Sequence, residues 1–317
     1  MAAPLLEIQN LKKYFSTPAG QLHAVDDVSL TIEAGQTLGV VGESGCGKST
    51  LGRTVLRLLE PTAGKVLYNG EDITRFNKQR MFQARQELQM IFQDPYASLN
   101  PRLSVAEIIA EPLIVAKRCR SRAEMNDRVA QLMETVGLAP RLMNSYPHEL
   151  DGGRRQRIGV ARALATDPRF IVCDEPVSAL DVSIQAQILN LLMDLQDEKG
   201  LSYMFITHDL SVVKHISSHI AVMYLGQCVE YAPTQELFAH PAHPYTQALL
   251  AAIPVIDITR RGKQLETIQG EVSSPIDPAP GCRFAPRCKY ACEGCIAGRM
   301  ELRQLSAGHF VACPYAR

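Results

Sequence analysis

The stretch Thr37-Leu-Gly-Val-Val-Gly-Glu-Ser-Gly-Cys-Gly-Lys-Ser-Thr50 decides the fold. Thr37 to Val41 is a short apolar run of the kind buried in a sheet. Gly42 to Thr50 then fits G-x-x-x-x-G-K-[ST]. Glycines let the backbone curl so that successive N–H groups converge on phosphate oxygens. A helix expected over about Lys48 to Leu59 presents its positive end to the same place. Lys48 has the reach for β- and γ-phosphates, and the Ser49 hydroxyl can ligate Mg²⁺. The candidate phosphate-contacting residues are therefore Gly42, Glu43, Ser44, Gly45, Cys46, Gly47, Lys48, Ser49 and Thr50. Average composition yields this pattern in roughly one chain of this length per hundred. A glycine-rich turn with an exposed lysine is the bland alternative, and the flanking strand and helix argue against it.

Outward from the loop, Val28-Ser-Leu-Thr-Ile alternates like a half-exposed strand, and Pro61-Thr-Ala-Gly64 turns into a strand at Lys65-Val-Leu-Tyr. Ser121 to Val136 has the apolar period of a helix, with Ser121 and Glu124 placed as a capping box. Phe170-Ile-Val-Cys and Tyr203-Met-Phe-Ile read as strands covered on both faces, and Val182 to Leu195 between them as helix. Strands alternating with helices imply an α/β domain on a largely parallel sheet. The prolines of 273–281 mark an irregular connector.

Phe170 to Cys173 runs into Asp174-Glu175, two acids at the end of a buried strand, where uncompensated charge is costly. Asp174 suits Mg²⁺, and Glu175 suits orienting or deprotonating an attacking water. Capping of the next helix is the alternative use for the pair.

With both sites in hand, the chain resembles the ABC transporter ATPases over nearly its whole length, with the motifs in the family's order. Gln93 in Ile91-Phe-Gln-Asp-Pro-Tyr-Ala-Ser-Leu-Asn-Pro101 resembles the Q-loop. Leu150-Asp-Gly-Gly-Arg-Arg-Gln-Arg157 stands in the signature position, Ser178-Ala-Leu-Asp181 in that of the D-loop, and His208 in that of the switch histidine. Phe15, or else Tyr14, sits where the family stacks an aromatic on adenine. The resemblance implies a P-loop nucleotide-binding domain over 1–255: a mainly parallel sheet, an antiparallel β subdomain and a helical subdomain at about 94–165. A small cysteine-rich extension over 256–317 follows. It also implies that two such domains sandwich ATP head to tail. Lys48, Glu175, His208 and Gln93 would then be catalytic, Ser49, Gln93 and Asp174 would hold Mg²⁺, and Asp181 would lie by the nucleotide.

One departure stands out. The family's usual signature is Leu-Ser-Gly-Gly-Gln, yet here Asp151 replaces the serine and Arg154 the glutamine, while Gly152 and Gly153 are kept. An ionised carboxylate cannot donate to the partner's γ-phosphate and would repel it. A heterodimer with unequal sites is one reading, and simple tolerance of Asp151 is the other.

Longer strings, notably His243-Pro-Tyr-Thr-Gln-Ala-Leu-Leu250 and Ser274-Pro-Ile-Asp-Pro-Ala-Pro-Gly-Cys-Arg-Phe-Ala-Pro-Arg-Cys288, resemble the dipeptide, oligopeptide and nickel importer ATPases. That likeness implies a second ABC ATPase, two transmembrane permease subunits and an extracytoplasmic solute-binding protein as partners. It also implies a peripheral place on the cytoplasmic face of the membrane. Five of nine cysteines fall in the last 36 residues. In a reducing compartment such a group suits metal better than disulfides. Cys282, Cys288, Cys295 and Cys313, with Cys292 as substitute, are spaced like those of the subfamily, implying a [4Fe–4S] cluster, or zinc as alternative.

Composition excludes several classes. Lys plus Arg and Asp plus Glu are equal at 33 each, so no net field recruits nucleic acid. No apolar run approaches the ~18 residues of a membrane span, and the first residues lack the regions of a secretion signal. Only 56 residues separate Gln93 from Leu150, without sustained heptads, which argues against a chromosome-maintenance ATPase. A single phosphate loop argues against a two-domain translation-factor ATPase.

Overall fold

The computed structural model describes residues 4–252, 270, 271, 273–296, 298 and 300–316. In chain order its elements begin with β1 (Leu6–Thr17), β2 (Gly20–Ile32), β3 (Thr37–Val41), α1 (Lys48–Val55), β4 (Ala63–Tyr68) and β5 (Glu71–Asp72). Then come α2 (Lys78–Glu87), β6 (Leu88–Ile91), α3 (Pro95–Ser98), α4 (Val105–Val115), α5 (Arg122–Thr135) and α6 (Gly152–Leu164). After these follow β7 (Phe170–Asp174), α7 (Val182–Lys199), β8 (Ser202–Ile206), α8 (Leu210–Ile216), β9 (His219–Tyr224) and β10 (Gln227–Pro233). The last are α9 (Thr234–Ala239), α10 (Pro244–Ala251), β11 (Arg303–Ser306) and β12 (His309–Val311). They group into two compact units, one within Met1–Ile32, Thr37–Thr74 and Thr207–Arg317, the other within Glu33–Gln36 and Arg75–Ile206.

The first unit holds two sheets. One is antiparallel, in the order β2-β1-β4-β5. The other runs β11-β12-β10-β9-β3, with β3 parallel to β9 and the remaining pairs antiparallel. Every residue of β3 is buried, as its apolar run requires. Helix α1 starts at Lys48 as expected but ends at Val55, short of Leu59. Arg57 adopts a left-handed φ of 51°, and the Leu58 and Leu59 N–H groups both return to Arg53 O, so the chain turns there. The stretch 273–281 is more ordered than its prolines suggest. His23 N–H donates to Pro275 O, Asp277 N–H donates to Gln21 O, and Leu22 bridges Ile276 along the edge of β2.

The second unit has the parallel strands β8-β7-β6 and the helices α2 to α7. Phe170–Asp174 and Ser202–Ile206 are buried throughout. Helix α5 is capped by Ser121, whose hydroxyl accepts the Glu124 N–H at 3.1 Å. The reciprocal half of the expected box is displaced by one residue, because Glu124 accepts from the Arg120 N–H instead. Gly200, left-handed at φ 65°, closes α7. The expected domain boundary at 255/256 falls outside the described residues.

Candidate nucleotide-binding site

The phosphate loop lies in the first unit, between β3 and α1. Gly42 and Gly47 adopt φ of 152° and 101°, and a Cβ at either would strike backbone, Met223 O at 2.1 Å and Ala24 O at 2.0 Å. These two glycines are thus fixed by close approach of the chain as well as by conformation. Helix α1 begins without a side-chain cap and without acid in its first turn, which leaves its N–H groups and positive end facing the loop. Lys48 is buried, its Nζ donating to Gly42 O at 2.8 Å and Glu43 O at 2.9 Å, with Cys46 Sγ at 3.8 Å. Burial raises the pKa of the Cys46 thiol, so it packs as a small apolar group. Ser44 and Gly45 are exposed, while Ser49 and Thr50 are half-buried in the first turn of α1.

His208 belongs to the same unit. Thr207 N–H donates to Val40 O at 3.1 Å, which sets the His208 turn beside the end of β3. Asp209 caps α8 through Ser211 N–H at 2.7 Å, and His208 itself is exposed. The two aromatic candidates for adenine separate by environment. Tyr14 stacks on His23 with centroids 3.9 Å apart and donates its hydroxyl to Asp26. Phe15 is half-buried with Lys13 Nζ 4.8 Å from its ring.

The second unit brings the carboxylates and the glutamine together. Gln93 Nε2 donates to Glu175 Oε2 at 3.0 Å across 82 positions of sequence. Asp174 is wholly buried at the end of β7. Glu175 follows with a left-handed φ of 45°, its N–H donating to Ile206 O at 2.9 Å. The signature and the D-loop meet in this unit too. A Cβ on Gly152 would lie 3.0 Å from the Leu180 side chain and one on Gly153 2.7 Å from that of Ile184, so the start of α6 runs close against the D-loop stretch and the first turn of α7. Asp181 is the N-cap residue of α7, without a side-chain cap bond, and is exposed.

Asp151 has a local task. Its Oδ1 accepts the Arg154 N–H at 2.8 Å, capping α6, and Oδ2 pairs with Arg154 Nη1 at 3.3 Å. Serine at that position would cap in the same way. The two departures from the family pattern are therefore one local pair.

The terminal cysteines gather but do not form a metal centre. Cys292 and Cys295 sulfurs lie 3.6 Å apart, and Cys282 N–H donates to Cys295 O. Burial first, and neighbouring thiols after it, raise Cys282, Cys288 and Cys295, Cys282 to about 11. Cys313 contributes to each of these shifts. Among the described residues no three His, Cys, Asp or Glu side chains are grouped to hold a metal ion. Zinc would draw its sulfurs to about 2.3 Å from one point, so that each pair lay about 3.8 Å apart. The Cys292–Cys295 contact has that spacing. The expected [4Fe–4S] or zinc site is not supported by this arrangement.

The chain matches the family described as "ABC transporter" over residues 25–178 and that described as "Oligopeptide/dipeptide transporter, C-terminal region" over residues 229–295. It is 51% identical over 317 residues to an oligopeptide transport ATP-binding protein, OppF, of Bacillus subtilis, covering 100% of this chain and 98% of that one. The chain belongs to the ABC transporter ATPases. A dipeptide transport ATP-binding protein, DppF, of Haemophilus influenzae is 48% identical to this ABC ATPase over 316 residues, covering 98% and 96% of the two chains. Among solved structures, the ATP-binding cassette MJ0796 in a dimeric post-hydrolysis state bound to ADP and Pi superposes with a TM-score of 0.67 at 28% identity. It covers 72% of this chain and 98% of that one. Membership makes the chain an ATP-hydrolysing enzyme of mixed α/β cassette fold. No helix among the described residues is long and apolar enough to cross a membrane.

Two residues that sequence reasoning did not select touch the phosphate loop. Tyr245 and Arg287 both contact Glu43. Both lie in strings already set apart as marks of the subfamily, but nothing local in those strings points at the loop.

Proposed function

We propose that this ABC ATPase powers import of dipeptides or oligopeptides, as one of two ATPases at the cytoplasmic face of a membrane permease pair fed by a solute-binding protein. One observation carries the substrate class. The likeness to peptide-transport ATPases runs the whole length of the chain, including residues 229–295. In this reading the 42–50 loop and Lys48 bind the triphosphate, and Phe15 stacks on adenine. Ser49, Gln93 and Asp174 hold Mg²⁺, which neutralises charge on the transferring phosphoryl group. Glu175 orients the attacking water, with Gln93 as its hydrogen-bond partner and His208 beside the γ-phosphate. Asp181 and the 151–154 turn face a partner ATPase.

A heterodimer fits Asp151 better than a homodimer. The carboxylate caps its own helix as serine would, but presents negative charge where serine presents a donor. Asp151→Ser with Arg154→Gln should therefore raise turnover at the partner's nucleotide. Unaltered turnover of the pair would remove the unequal-site reading. For the tail, it is the likeness to the peptide-importer ATPases, and not the arrangement of the thiols, that supports a [4Fe–4S] cluster on Cys282, Cys288, Cys313 and one of Cys292 and Cys295, with zinc as the alternative. Iron and sulfide at four atoms each per anaerobically purified chain is the expected result, and stoichiometric zinc without iron the contrary one.

The substrate test is uptake by a strain lacking this ATPase and complemented with it. Restored uptake of a labelled dipeptide or tetrapeptide is expected. Restored nickel or metal-chelate uptake without peptide uptake would favour the sister importers instead.

A further inference from the structure

Glu43, the second residue of the phosphate loop, is held at three points, two of them from the carboxyl-terminal part of the chain. Its carbonyl accepts from Lys48 Nζ. Its N–H donates to the Tyr245 hydroxyl, 2.9 Å away, from the first turn of α10. Its carboxylate receives both terminal nitrogens of Arg287, at 2.9 and 3.3 Å. The Arg287 side chain is only 7% exposed and also donates to the Tyr224 hydroxyl at 3.3 Å. Phe284, three residues before it, is buried against Tyr224 and Tyr245, each ring centroid 5.3 Å away. Tyr224 meets Tyr245 edge-on at 4.7 Å. The three rings make a rigid wall that fixes both hydroxyls and the guanidinium.

The chemistry of such a grip follows from charge. A carboxylate inside a loop built for a triphosphate repels its ligand unless it is neutralised and held aside. A bidentate arginine does both, in a fixed plane that lysine cannot reproduce. The hydrogen bonds it donates to Glu43 in turn keep the guanidinium firmly charged, raising its pKa.

We propose that Arg287 and Tyr245 are positioning residues for ATP binding, which keep the phosphate loop preformed and its Glu43 charge cancelled. The proposal rests on the reading that residues 42–50 hold the triphosphate. It assigns the region around Cys282 and Cys288 a task in nucleotide affinity, whatever the thiols carry.

The test is ATP affinity of the full-length chain by titration with a fluorescent ATP analogue, alongside KM and kcat of the assembled transporter. Arg287→Ala should weaken binding and raise KM about tenfold, more at low salt, with kcat within about twofold. Arg287→Lys should recover part of the loss, and Tyr245→Phe should lose a few-fold. Adding Glu43→Gln to Arg287→Ala should restore most of the affinity, because no unpaired charge remains; a merely structural role would leave the double variant as weak as the single or weaker. If Arg287→Ala does not fold, the Tyr245→Phe and double variants carry the test. Unchanged affinity in Arg287→Ala while Lys48→Ala abolishes binding would overturn the proposal alone. Unchanged affinity in Lys48→Ala as well would overturn the loop assignment, and the proposal with it.

Discussion

Glu175 keeps a φ of 45°, a left-handed backbone that costs a non-glycine residue roughly 1–2 kcal/mol. The conformation is held by its own N–H on Ile206 O and by Ser178 Oγ on its carbonyl, and its side chain then reaches Gln93. Strain retained at a candidate catalytic carboxylate is what pre-organisation requires. His243 shows a second residue-scale device. Buried at the start of α10, its Nδ1 accepts the Tyr245 N–H, and burial pushes its pKa down to about 4 from the ordinary 6.5. Between those values the unfolded chain takes a proton that the native one refuses. The contribution of His243 is therefore fully present above about pH 6.5 and is lost as the pH falls toward 4. Asparagine caps helices without titrating. Denaturant melts at about pH 7.5 and about pH 5 should show the wild type losing on the order of 2 kcal/mol more than His243→Asn. Equal losses would mean that His243 is already charged in the native chain.

At the scale of elements, α6 organises the second unit's functional loops. Arg162 donates from Nη1 to Ser98 O at 2.7 Å, and its Cζ lies 5.8 Å from the Phe92 ring centroid, while Arg155 Cζ lies 5.0 Å from that of Tyr96. Burial lowers the pKa of Arg162, so its carbonyl partner is needed to offset desolvation. Arg162→Ala should cost roughly 1–3 kcal/mol and speed amide exchange over Phe92–Leu99, measured by mass spectrometry. Exchange unchanged in that loop would show that α6 does not hold it. Asp151→Ala should cost about 1 kcal/mol through the lost cap, and Asp151→Ser close to nothing, in thermal melts of the purified chain. Much of this scale was legible beforehand. Thr37–Val41, Phe170–Cys173 and Tyr203–Ile206 announce themselves as short apolar runs, and Ser121 as a cap. The early end of α1 was not, because it depends on Arg57 turning left-handed rather than on any breaker residue. Nor was the pairing of Ile276 with Leu22, since an edge hydrogen bond between distant residues leaves no periodicity.

For the molecule as a whole, the motifs of each unit carried more information than its composition did. The phosphate loop and Asp174-Glu175 pointed to an ATPase from nine and two residues, because few chemistries need those types at that spacing. Long-range devices stayed hidden. The Arg287–Glu43 pair spans 244 positions and the Gln93–Glu175 bond 82, and only the fold reveals either. The tail itself is bound into the first unit, with Tyr231 paired to Phe310 and buried His309 2.8 Å from buried Glu230. Removal of residues 303–317 should therefore take the His309 partner from Glu230 and the paired strand from β10, and lower the melting temperature by several degrees. An unchanged melting temperature would mean that the hairpin adds no stability.

The central claim, an ATPase whose water is oriented by Glu175, is tested most directly by ATP turnover of this chain mixed with its partner ATPase, wild type against Glu175→Gln. The account predicts that Glu175→Gln lowers kcat by about a hundredfold or more while ATP still binds. Turnover that survives the substitution would contradict it.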